Sequence, residues 1–133
     1  MKSDEEILKK LEQATAGLLF MSEADYPFEI VNWGAMNEID FDYLRGLAGV
    51  ARDAPVQVVS EEKFFATAVS EPKWKAEDEL AIARRYQALL RLLKENMEDL
   101  KVYKVGEIDI AVYIVGKDES GNRVGLSTRV VET

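Results

Sequence analysis

The chain has 133 residues, 47% of them hydrophobic and 32% charged, proportions that suit one domain over residues 1–133 with a buried core. It contains no Cys and no His, which excludes disulfides, thiol nucleophiles, zinc fingers, His general bases and Ser-His-Asp catalysis. A formal net charge of -8 disfavours contact with a phosphate backbone and suits a basic partner, although solubility alone would also account for it.

The opening stretch MKSDEEILKK is charged and lacks the apolar centre of a signal peptide, and no apolar run is long enough to span a bilayer, so a cytoplasmic location is the expectation. Ser3 followed by Glu6 forms a capping box, and Asp4 and Glu5 suit the positive end of the helix that runs to Thr15. Ile7, Leu8, Leu11 and Ala14 are its apolar face, and Gly17 is its stop. The quartet Leu18-Leu19-Phe20-Met21 must pack somewhere, Ser22-Glu23-Ala24-Asp25 reads as a turn, and Pro27 keeps Tyr26 out of a helix. Phe28 to Trp33 is a short strand, Gly34 to Ile39 a loop, and Asp40 caps a short helix through Leu47. Arg52-Asp53-Ala54-Pro55 is a turn before the strand Val56 to Val59, and Ser60-Glu61-Glu62 opens a helix that offers Phe64, Phe65 and Ala68 for burial.

The loop Ser70 to Lys75 sets Trp74 between Lys73 and Lys75. The longest helix follows, from Ala76 to about Glu98, with Ile82, Tyr86, Leu89, Leu93 and Met97 at helical spacing. From Ile108 the apolar residues alternate (Ile108, Ile110, Val112, Ile114), and Val124, Leu126, Thr128 and Val130 resume that period after the turn-forming run Asp118 to Asn122. Tyr103 and Val105 fall out of phase, which suggests one long strand with a bulge at Gly106. Strands separated by helices early and paired directly late predict a mixed sheet covered on both faces, a three-layer α/β/α sandwich.

Few catalytic constellations are present: no GxxxxGK[ST], GxSxG or GxGxxG occurs. Asp118 to Asn122 lacks the alternating acids of a calcium loop and reads as a plain hairpin turn. Glu107 and Asp109 would lie on one side of one strand, either as solvated face residues or as a carboxylate pair for acid/base work. Three features stand out. Glu23 sits in a short turn that can present its carboxylate outward. Trp74 occupies a polar loop, as interface anchors do, or else tucks against the sheet edge. Thr133, next to Glu132, closes the given sequence with oxygen ligands of the kind that magnesium favours.

The block from Gly17 to Glu23 with Asp25 to Glu29, and the ending from Val102 to Glu107 and from Tyr113 through Gly121-Asn122 to Thr133, resemble the nuclease A inhibitor family. The similarity extends across nearly the whole chain, including the Trp74 loop and the long helix. The resemblance implies a pathogenesis-related-1-like α/β/α sandwich and inhibition of a magnesium-dependent, sugar-non-specific endonuclease. It implies that Glu23 pairs with an arginine of the nuclease site, that the Trp74 loop touches the enzyme, and that Thr133 reaches the partner's Mg²⁺ through its oxygens. The chain would then need no cofactor of its own, would not bind nucleic acid directly and would be a monomer when free. Lys73 departs from the family, which carries an acidic residue just before the tryptophan, and that reversal bears on the loop's contact and the choice of nuclease. Two other readings stay open: an interaction domain of the same fold with a changed partner, and an enzyme using Glu107 and Asp109.

Overall fold

The computed structural model describes residues 4–21, 24–36, 38–71, 74 and 76–132. Helix α1 (Asp4–Thr15) buries Ile7 and Leu11, and the Thr15 hydroxyl donates to the Leu11 carbonyl at 2.7 Å as the helix ends. The expected capping residue Ser3 lies outside the described residues. Beyond it, β1 (Leu19–Met21) and β2 (Asp25–Pro27) pair antiparallel as a small ribbon, with Met21 opposite Asp25. The turn read at Ser22 to Asp25 lies partly outside the described residues, and its last residue begins β2; the pairing has no sequence signal, because three-residue strands carry too little alternation to read.

Strand β3 (Glu29–Ala35) runs two residues further than its sequence suggests. It absorbs Gly34 at φ 70°, where the Asn32 side chain accepts from the Gly34 N–H at 3.0 Å and the register shifts. Helix α2 (Phe41–Ala48) starts as expected, with the Asp40 side chain accepting from the Asp42 N–H, and ends at Gly49 in the left-handed region. Strand β4 (Val56–Val59) and helix α3 (Glu61–Phe65), whose Ser60 side chain accepts from the Lys63 N–H, also follow the sequence reading. Helix α4 (Glu77–Asn96) stops before Glu98, which already belongs to β5 (Glu98–Val105). The meander closes with β6 (Asp109–Lys117) and β7 (Asn122–Val131).

The sheet order is β3-β7-β6-β5-β4 and every neighbouring pair is antiparallel. This corrects the expected mixed sheet. Helix α2 does separate β3 from β4, but those strands take opposite edges of the sheet, so no parallel pair forms between them. The expected single strand bulged at Gly106 is also two strands. Gly106 has φ 116°, its N–H donates to the Pro55 carbonyl at 3.0 Å, and a Cβ there would lie 2.8 Å from the Asp109 carbonyl oxygen. It is a turn that only glycine fits. The apparent loss of phase has a simple cause: β5 and β6 bury both faces, so alternation cannot separate inside from outside.

One face carries Val102, Ile110, Val112, Ile114, Val124, Leu126 and Val130 and packs on Ile7, Leu11, Phe65, Tyr86, Leu89 and Leu93 of α1, α3 and α4. The other carries Val31, Tyr103, Val105, Ala111, Tyr113 and Val115 around Leu44 of α2. Each fully buried Leu or Ile contributes about 1.5–3 kcal/mol by leaving water. Between β6 and β7 the Asp118 carboxylate accepts from the Ser120 and Asn122 N–H groups, both at 2.9 Å, and Gly121 takes φ 85°. This is the plain turn that the sequence indicated.

Candidate functional site

A cleft of about 910 Å³ opens on the face covered by α3 and α4, bounded by the loop before α4 and the far end of β7. Its wall is apolar. Phe64 of α3 stacks on Phe20 of β1 with ring centroids 4.5 Å apart, and Phe20 meets Tyr86 edge-on at 6.2 Å. The Tyr86 hydroxyl donates to the Leu19 carbonyl, which fastens the β1–β2 ribbon to α4. Burial pushes the Tyr86 phenol far above its ordinary range, so it stays a neutral donor at any working pH.

Trp74 and Glu132 both line this cleft. Trp74 is 78% exposed, the most exposed large apolar side chain among the described residues, so it is not tucked against the sheet edge. Its loop is tied down at the base. Gln87 donates to the Val69 carbonyl at 2.9 Å and to the Glu71 carboxylate at 2.8 Å, and Arg84 donates to Glu71 at 3.1 Å. Glu132 follows the last sheet pair, Val131 with Asp109. Its N–H donates to the Ile108 carbonyl at 2.9 Å, and its carboxylate accepts from the Lys104 ammonium at 2.9 Å.

Glu23, Lys73 and Thr133 lie outside the described residues. Trp74 and Glu132, adjacent in sequence to Lys73 and Thr133, line the cleft, as does Phe20, three residues before Glu23. The residue that sequence reasoning missed is Lys104. On β5 it shares the helix-covered face with Val102, and its side chain is only 18% exposed. A lysine at an inward position of a buried strand is the available signal, since such a charge requires a partner.

Glu107 and Asp109 do not share a strand: Glu107 lies in the turn between β5 and β6, and Asp109 begins β6. Both Asp109 oxygens accept from Arg129, at 3.1 and 3.0 Å, and this bond raises the Arg129 guanidinium above its ordinary value. Neither carboxylate lines the cleft or the smaller hollow of about 580 Å³ on the opposite face beside Trp33 and Tyr113. Neither of these two hollows therefore supports an acid/base pair at Glu107 and Asp109. Among the described residues no three Asp or Glu side chains group as metal ligands. No helix is long and apolar enough to cross a membrane, again among the described residues.

A family model described as nuclease A inhibitor-like protein matches residues 5–133. No curated protein matches the chain.

Proposed function

Because the chain belongs to the nuclease A inhibitor-like family, we propose that it inhibits a magnesium-dependent nuclease that cuts DNA and RNA alike, by occluding that enzyme's active site. The observation that carries the reading is the joint placement of Trp74 and Glu132 on one cleft, with the indole exposed and the acid next to the final residue of the given sequence. A nuclease site is built to attract phosphate, so it is basic and holds a cation. Carboxylates offered there mimic the substrate's charge without supplying a bond to cut. In this scheme Glu23 meets a basic group of the enzyme, Trp74 and Lys73 contact its rim, and Thr133 reaches the partner's Mg²⁺ through its oxygens. The metal is the nuclease's own. The inhibitor needs no cofactor, performs no catalysis, does not bind nucleic acid itself and is a monomer when free. Its arrangement is read as a three-layer α/β/α sandwich of the pathogenesis-related-1-like kind, one domain over residues 1–133, acting in the cytoplasm.

An interface of this sort buries on the order of 1,600 Å², and its charge complementarity makes association fast and salt-sensitive. The test is a titration of the protein into a magnesium-dependent non-specific nuclease, with DNA cleavage as the readout. Cleavage falls to near zero around one equivalent. Glu23→Ala weakens inhibition at least about tenfold, as loss of one partner of a desolvated charge pair should, and one residue added after Thr133 relieves it. Undiminished cleavage at every ratio would remove the inhibitor reading and leave an interaction domain with a different partner.

A further inference from the structure

Lys104 sits on β5, with β6 between it and the end of β7. Its backbone pairs with Val112 of β6 and Gln57 of β4, yet its ammonium crosses β6 to reach Glu132 at 2.9 Å. The lysine stem lies within the cleft, where its side chain is 18% exposed against 54% for Glu132. Sheet pairing ends one residue earlier, at Val131. At Glu132 the chain is held by its N–H bond to the Ile108 carbonyl and by this ion pair. The ion pair is the contact that fixes where the Glu132 side chain points.

We propose that Lys104 is a positioning residue that holds Glu132, and with it the end of β7, at the rim of the cleft. Its effect on inhibition rests on the reading given above. Lys104 need not touch the partner. A long aliphatic stem crossing an apolar floor carries the charge to Glu132, and the half-buried setting makes the pair worth more than an exposed one.

The experiment compares K104M, which keeps the stem and deletes the charge, with K104R, E132Q and the double variant K104M/E132Q. Amide hydrogen exchange reads the hold on the segment without any partner. In K104M the Glu132 amide exchanges about fivefold faster, the scale of a partly exposed ion pair, while the Leu126 amide in the middle of β7 is unchanged. In the nuclease titration K104M needs about fivefold more inhibitor, K104R restores both readouts, and the double variant is no worse than either single one. Unchanged exchange at Glu132 overturns the proposal, as does uniform acceleration of all amides, which would mark a general loss of stability. Faster exchange at Glu132 with full inhibitory strength overturns it too. If the wild-type protein inhibits no nuclease, the inhibitor reading falls by itself, and the exchange data still decide whether Lys104 holds the segment.

Discussion

Truncating Trp74 to alanine separates a binding surface from a packing contact. The residue is 78% exposed. A tryptophan presents about 250 Å², so within the free fold Trp74→Ala forfeits at most about 55 Å² of burial, or about 1.4 kcal/mol at the usual area coefficient. Covering the remaining area of about 195 Å² beneath a partner is worth up to about 5 kcal/mol on the same scale. Truncation of such anchors typically costs about 2–4 kcal/mol of binding, which is about 30- to 700-fold in affinity. Urea denaturation should therefore show a small fall in midpoint with an unchanged slope, while inhibition of the nuclease weakens by well over an order of magnitude. Inhibition that stays within about threefold of wild type would refute the reasoning. So would a stability loss as large as the affinity loss, because the indole would then belong to the core.

Tyr86→Phe keeps the ring contacts to Phe20, Phe28 and Phe65 but leaves the Leu19 carbonyl without its donor. The expected cost is about 1 kcal/mol, a fall of roughly 3–5 °C in Tm by calorimetry, with weaker inhibition because the ribbon flanking Glu23 loosens. Gly125→Ala is far more severe: its Cβ would lie 1.8 Å from the Ile114 carbonyl oxygen across the centre of the sheet, so β6 and β7 must part. A loss of about 3 kcal/mol or more is expected in urea melts. Partial burial of Asp99 works to raise its pKa, but the hydrogen bond from Arg123 and the nearby Lys101 outweigh it and hold the carboxyl below its ordinary range. A carboxyl held low stabilises the fold above its unfolded pKa and loses that contribution as the pH falls through its folded value. Wild-type stability should therefore decline as the pH drops below about 4. In Asp99→Asn that acid-dependent part should be smaller, as pH-resolved urea midpoints would show.

Local chemistry made much of this molecule legible. Asp40 and Ser60 mark helix starts through bonds that a few consecutive residues can supply, and those starts stand where the sequence puts them. The Asp118 turn is equally local. What escaped depends on distant partners. The β1–β2 ribbon is short and is stabilised by an aromatic group drawn from α3 and α4 as well as from β1. The break at Gly106 was hidden because both faces of the flanking strands are buried. Sheet direction could not be read at all, since nothing near β3 or β4 in the chain says that they take opposite edges. At the cleft, the polar surroundings of Trp74 left open whether the indole stands out or tucks against the sheet, which only its exposure decides, whereas Lys104 acquires a partner only when the end of β7 arrives beside it across β6.

The order of strands has a consequence for how the molecule is made. The three middle strands come from residues 98–131, after both edge strands and helices α1 to α4 in the sequence. A ribosome adding about 5–20 residues per second thus releases β3 and β4 with nothing to pair against, since neither neighbours the other in the sheet. A nascent chain halted at residue 97 would hold helices with sticky undersides and no platform to lay them on. Protease resistance should arise abruptly, only once the late meander has emerged from the exit tunnel.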